Sequence, residues 1–257
     1  RCARRTGLSQ FDMHCHLDFA PDARAAARGL AECGTGAFSA TVDPAGFERA
    51  SELLAGCENV RVGLGLHPWW VADGRCGSQD AALFEQLVAR ERFVGEVGLD
   101  FSPVRASARE AQLAVFERVA AACAEGGKVL SIHAVRSAGE VLDILERTGA
   151  LERNACVFHW FSGTSDELQR ALRAGCLCSI NPRMLASKRG RAYARAVPEE
   201  RLLLETDSPS EEGAPFDPKG VAALLSSLLD NLAALRAVSR ADLAARIAET
   251  SARLLAL

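Results

Sequence analysis

FDMHCHLDFAPDARAAARGLAECG, residues 11–34, reads as a strand running into a helix, with its polar chemistry gathered at the join. Residues 11–19 are an apolar run broken by alternating polar positions, and PDARAAARGLAECG, residues 21–34, is helix-like and rich in Ala and Arg. Pro21 suits the position just inside a helix start, and Gly34 the position just past a helix end. In an extended strand alternate side chains share a face, so His14 and His16 point one way and Cys15 the other. Two imidazoles side by side in a core would be poorly satisfied and would repel if protonated, whereas two aimed at one cation make chemical sense. On this stretch alone a second reading stays open, with one ring hydrogen-bonded in the core and the other in a loop. An open doubly wound sheet would carry a Gly-rich phosphate turn at this join, and HCHLDFAPD stands there instead.

The same alternation continues along the chain. Strand-like runs recur as AFSATVD, VRVGLGLH, RFVGEVGLD, KVLSIHAV, ACVFHWF, LCSINP and LLLETD, which with the first makes eight. Helix-like segments lie between them, among them DAALFEQLVARE, REAQLAVFERVAAACAEGG, SAGEVLDILERTGA and SDELQRALRAGC. Ser165 is the expected N-cap of the last of these, and Gly149 and Gly175 fall just past helix ends. Strands alternating with helices mean a parallel sheet, and eight such units in about 250 residues is the size of a closed barrel. The expectation is therefore an α/β protein, a (β/α)8 TIM barrel formed as a single domain over residues 1–257. An extra C-terminal helix would open at Ser239, with Asp242 three residues on.

Composition narrows the function classes. The chain has 257 residues, 49% hydrophobic and 25% charged, enough for a substantial core. No apolar run reaches membrane-span length, and the basic opening RCARRTGLSQ lacks the apolar region of a secretory signal. The nine cysteines, Cys2, Cys15, Cys33, Cys57, Cys76, Cys123, Cys156, Cys176 and Cys178, are scattered and odd in number, with no CxxC pair. Reduced thiols in a cytoplasmic protein are the expectation, with Cys176 and Cys178 as core filler. A net charge of −3 gives no broad basic field, so any nucleic-acid contact must be local.

In a β/α barrel the chemistry is built at the C-terminal ends of the strands. All five histidines of the chain fall there: His14 and His16 on strand one, His67 on strand three, His133 on strand five and His159 on strand six. Strand four carries Glu96 between Gly95 and Gly98, a sign of backbone crowding. Strand eight ends in Glu205 and Asp207. Each has a plainer alternative. His67 before Pro68 would serve as a loop histidine stacked on Trp69 or Trp70, Glu96 as a buried partner of an arginine, and Glu205, a layer deeper than Asp207, as an orienting group. Trp160 and Phe161 would wall the pocket. Imidazoles and two carboxylates converging on one barrel mouth suit divalent ions, with Glu96 the natural bridge. Nitrogen-rich ligation favours Zn²⁺, and Mn²⁺ or Mg²⁺ suits a more oxygen-rich half. Two such ions would stabilise both attacking and leaving oxygens of an ester, and Asp207 would accept the proton of the attacking water.

With DMHCHLD, GLHPWW, GEVGLDF, IHAVRS, HWFSG, LLLETDSP and TSARLLAL in that order, nearly the whole chain resembles the TatD-type metal-dependent hydrolases of the amidohydrolase-like barrel group. The resemblance implies a barrel that binds two or three divalent ions and cleaves phosphoester bonds, often as a deoxyribonuclease, of a small phosphoester or a DNA end. It implies metal ligands at His14, His16, Glu96, His133, His159 and Asp207, and a phosphate contact from His67. No obligate protein partner is implied. The substrate-gripping parts depart from the pattern. Arg136 lies three residues after His133 where the family has an arginine two after. SINPRML replaces a Ser- and Gly-rich turn, so Arg183 would take an anion-binding role. SEEGAPFDPKG brings Glu211 and Glu212 where a basic loop is usual, and Thr250 stands for an asparagine. The alternative is an amidohydrolase cutting C–N or carboxylic ester bonds, although Glu96 holds the place where many of those carry a carboxylated lysine. A third possibility is a barrel that binds without turnover, because fold alone does not fix function.

Overall fold

Each of the eight runs forms a strand in the computed structural model, which describes residues 7–257. They are β1 (Gln10–Cys15), β2 (Thr35–Ala40), β3 (Val60–Leu66), β4 (Phe93–Asp100), β5 (Val129–Val135), β6 (Ala155–His159), β7 (Leu177–Ile180) and β8 (Leu202–Leu204). They follow one another in sequence order in an eight-stranded sheet, with helices in the connections, which is the topology of the (β/α)8 barrel class. After β8 come the helix Pro218–Arg236 and the additional helix Arg240–Leu255, which Ser239 caps by accepting from the Asp242 amide. No single helix among the described residues is long and apolar enough to cross a membrane.

Contacts divide the chain into two compact units. The first takes the residues up to Ser39, with Ala50–Arg61 and Ser179–Leu257. In it β1 pairs in parallel with β2, and the register shifts between Asp12 and Cys15, the stretch that holds His14. On the other side of β1 the Asp207 amide donates to the His14 carbonyl and the His16 amide to the Ser208 carbonyl, at 2.9 and 3.0 Å. Met13, Leu17, Leu30 and Phe38 fill its core. The Arg61 guanidinium donates to the carbonyls of Leu255 and Ala256, which ties the end of the last helix to the start of β3.

The second unit takes Ala40–Arg49 and Val62–Cys178. Here β3, β4, β5 and β6 pair in parallel, with a register shift in β4 between Val94 and Val97, around Glu96. Phe84, Leu99, Phe116, Leu130, Ile132, Leu142 and Phe158 form its core. The crowding that Gly95 and Gly98 imply has a definite cause at Gly98. That residue sits at φ +140°, and a Cβ there would lie 2.0 Å from the His133 carbonyl oxygen. Gly98→Ala should therefore push β5 away at His133 and destabilise the protein by about 2–3 kcal/mol. Chemical denaturation of the variant checks this, and an unchanged midpoint would refute the close approach.

Two helix starts differ from expectation. Pro21 lies outside its helix, because Asp22 is the N-cap and accepts from the Ala25 amide at 2.8 Å. Thr164, not Ser165, caps the helix Ser165–Arg173. The reciprocal capping box needs an acid three residues after the cap, and Glu167 stands at that distance from Thr164. Gly34, Gly149 and Gly175 all take positive φ past helix ends as expected. Cys176 and Cys178 are buried, as core filler should be, and Cys2 lies outside the described residues.

Candidate metal centre

The chemistry-bearing residues form one group in each unit. In the first unit β1 delivers His14 and His16, and the residues after β8 deliver Asp207. The rings of His14 and His16 lie edge to face with centroids 5.0 Å apart, so the shared face read from alternation holds across the register shift. His16 also stacks on Phe19. Asp207 Oδ1 lies 3.8 Å from His14 Nε2 and 3.5 Å from His16 Nε2. These are too long for hydrogen bonds. They match the edge of about 3.4 Å between two ligands each about 2.1 Å from a tetrahedral ion. Asp207 takes φ +59°, a left-handed conformation that aspartate and asparagine tolerate better than most residues.

Asp12, which sequence reading passed over, supports this group from below. Fully buried, it accepts from the amides of His14 and Thr206 at 3.3 and 3.0 Å and from the Thr206 hydroxyl. One carboxylate thus braces the residues beside both His14 and Asp207. Burial pushes the Asp12 carboxyl up to about 7 against the pull of those hydrogen bonds. Glu205 is fully buried and accepts from the Ser179 hydroxyl, in keeping with an orienting role. Arg183 is exposed just past β7, and its amide donates to the Asn181 side chain. Glu211 and Glu212 are exposed.

In the second unit three imidazoles surround one carboxylate oxygen. Glu96 Oε1 lies 3.0 Å from His67 Nε2, 2.7 Å from His133 Nδ1 and 2.9 Å from His159 Nε2, and all four residues are buried. The ligand atoms of His67, Glu96 and His133 lie within 4.8 Å of one another, a grouping able to hold a metal ion. Hydrogen bonding distinguishes the rings. His67 Nδ1 accepts from the Trp69 amide at 3.0 Å, so its proton sits on Nε2 and points at Glu96. His133 lies between two carboxylates, with Nε2 3.1 Å from Asp100 and Nδ1 2.7 Å from Glu96, so a neutral ring turns one nitrogen without a proton toward a carboxylate. A lone pair set against a carboxylate oxygen needs a positive charge between or on the pair: a second ring proton or a cation. The donor set therefore fits a divalent ion held by Glu96, His133 and His159, with His67 acting as a hydrogen-bond donor.

Burial alone would lower the basicity of His133, but hydrogen bonds to Asp100 and Glu96 outweigh it and raise the pKa above the usual 6.5. Burial works in the opposite sense on Asp100, yet the donors from His133, Ser102 and Trp69 hold its carboxyl well below the ordinary carboxylate range. Around His67 stand Trp69 and Trp70, at centroid distances of 5.1 and 5.7 Å, with Arg105 lying over Trp69 and Arg75 over Trp70. Phe161 is buried against Phe158, whereas Trp160 is half-buried with φ +41°.

The chain matches the family described as TatD related DNase over residues 11–256. It is 35% identical over 152 residues to a 3'-5' ssDNA/RNA exonuclease TatD of Dickeya dadantii, an alignment covering 56% of this chain and 55% of that protein. The chain thus spans about half the length of that relative. It is 29% identical to the human Deoxyribonuclease TATDN3 over 80% of each chain. Among solved structures, the TatD homologue YjjV of Escherichia coli superposes with a TM-score of 0.82 at 22% identity, covering 98% of this chain and 99% of that one.

Proposed function

This chain belongs to the TatD related DNase family, and from that premise we propose that it is a metal-dependent hydrolase of phosphoester bonds, acting on nucleic-acid ends or small phosphoesters. The observation that carries the reading is the convergence of three buried imidazoles on Glu96, with His133 set between two carboxylates. We assign divalent ions to Glu96, His133 and His159 in one group and to His14, His16 and Asp207 in the other. Zn²⁺ suits the nitrogen-rich ligation and Mn²⁺ or Mg²⁺ the oxygen-richer part. Such ions, when bound, supply Lewis-acid polarisation of the phosphoryl oxygen and of the attacking water.

The chain's own groups then have separate tasks. Asp207, 20% exposed at its side chain, accepts the proton of the attacking water. The water oxygen bonds to phosphorus as the bond to the leaving oxygen breaks, and the proton taken up by Asp207 returns, directly or through solvent, to that leaving oxygen to give the alcohol. His67 donates from Nε2 to a non-bridging phosphate oxygen when substrate displaces its contact with Glu96. Trp160 walls the site, and Arg183 supplies a local positive charge for the substrate. The scattered, odd-numbered cysteines with no CxxC pair are the pattern of reduced thiols and support a cytoplasmic location.

Purified protein should be assayed with Zn²⁺, Mn²⁺ and Mg²⁺ against an aryl phosphodiester, single-stranded DNA and a panel of amides and lactones. Metal-dependent release of nucleotide or aryl alcohol is the expected result. Arg183→Ala should raise KM for the nucleic acid about 10-fold with little change in kcat, as loss of one charge-assisted contact would. Turnover of amides or lactones alone would transfer the site to the amidohydrolase reading. Against that reading stands Lys128, a buried lysine whose ammonium is committed to the carbonyls of Val88 and Glu91 at 2.7 Å.

A further inference from the structure

Asp100 lies four residues past Glu96, and strand alternation places it on the same face. It is 2% exposed, and the groups that approach it are the Trp69 indole, Ser102 and a ring nitrogen of His133. Oδ2 accepts from the Trp69 indole at 2.6 Å and faces His133 Nε2 at 3.1 Å, and Oδ1 accepts from the Ser102 amide at 2.8 Å. An indole and an amide can only donate, so the carboxylate needs no proton of its own and is free to accept one carried on His133 Nε2. The main chain is held as firmly as the side chain. The Asp100 amide donates to Gln112 Oε1 at 2.7 Å, and Gln112 Nε2 returns a bond to the Asp100 carbonyl at 2.9 Å. Trp69, anchored through its ring, donates its backbone N–H to His67 Nδ1.

We propose that Asp100 is a positioning residue that sets the edges His133 and His67 present to Glu96. His133 is fixed directly, with its proton on Nε2 and its bare Nδ1 toward the carboxylate. His67 is fixed through Trp69, with Nδ1 occupied and Nε2–H toward the carboxylate. The two rings carry their protons on the same nitrogen yet offer Glu96 opposite faces, one a lone pair and one a donor. That division separates a metal ligand from a substrate-contacting donor. The inference rests on the metal-centred reading above for its consequence, but not for the proton positions themselves.

The proton positions are measured on metal-free protein labelled with ¹⁵N-histidine at alkaline pH, where the five histidines are few enough to assign by single substitutions. The expected spectrum shows His133 as the Nε2–H tautomer, and Nδ1–H for His133 would overturn the proposal whatever the variants do. Asp100→Asn keeps the size of the side chain and loses the charge. It should mix the His133 tautomers and weaken Zn²⁺ or Mn²⁺ binding by about 10–100-fold in competition with a chromophoric chelator, as removal of a ligand's supporting carboxylate does. Trp69→Phe removes the indole donor and leaves the Asp100–His133 contact, so metal affinity should stay within about twofold of wild type by the same reasoning. An Asp100→Asn protein with unaltered metal affinity and unaltered His133 signals would refute the proposal while leaving the hydrolase reading intact. Wild-type protein that binds no divalent ion would overturn the hydrolase reading, and the tautomer measurement would still judge Asp100.

Discussion

Asp207→Asn is expected to lower kcat by ~10²–10⁴-fold, the range for loss of a proton-transferring group, while the protein folds normally. Folding should survive because position 207 takes φ +59°, and asparagine is among the few residues that accept that conformation readily. The amide donor of residue 207 to the His14 carbonyl is also retained, so β1 keeps its neighbour. What the substitution removes is the negative charge beside His14 and His16 and the capacity to take up a proton. The pH profile separates these losses. If Asp207 is the proton acceptor, the acid limb of kcat/KM belongs to its protonation and should flatten in the variant, measured at saturating metal. A variant that regains full turnover on raising metal concentration, with its acid limb intact, would mean that Asp207 only binds the ion. Asp207→Ala makes the complementary control, since it loses the charge and adds left-handed strain of about 1–2 kcal/mol.

How far such a prediction was available from sequence depends on the range of the interaction concerned. The eight strands were legible because period-two alternation and turn residues are local signals, and every predicted run overlaps a strand. The positions of the histidines were legible for the same reason. His14, His67 and His159 each lie within one residue of a strand end. Two helix starts, at Pro21 and Ser165, were misread by a residue or two, because the cap depends on which oxygen meets an amide three residues on. The supporting acids were out of reach. Asp100 in GEVGLD looks like any strand-end acid until Trp69 and His133, 31 and 33 residues away, close on it. Asp12 is explained only by Thr206, 194 residues along the chain. Gly98 stands between these cases: crowding was readable, but its source in the His133 carbonyl was not.

Glu96→Gln should produce the second large effect, because three imidazoles converge on the oxygen whose charge it removes. Metal affinity of the β4–β6 group should fall by more than about 100-fold, beyond the loss expected from an outer partner, and turnover by ~10³-fold. The same substitution has a signature in metal-free protein that no catalytic assay is needed to read. His133 is more basic folded than unfolded, held so by Asp100 and Glu96 against the opposing effect of burial. A raised folded pKa contributes stability that is fully present below the unfolded value of 6.5 and is lost as pH rises through the folded pKa. Asp12, pushed up from 3.8 to about 7, adds a separate decline in stability between those values. The His133 contribution is therefore read between 6.5 and its raised folded pKa, as a steeper fall in unfolding free energy for wild type than for Glu96→Gln. Metal binding must expel the same proton, so wild-type affinity should weaken on acidification once the pH is below the raised His133 pKa. Equal pH dependence of stability in the two metal-free proteins would show that Glu96 does not hold the His133 proton, and the charge placed between them by the donor geometry would have to be sought elsewhere.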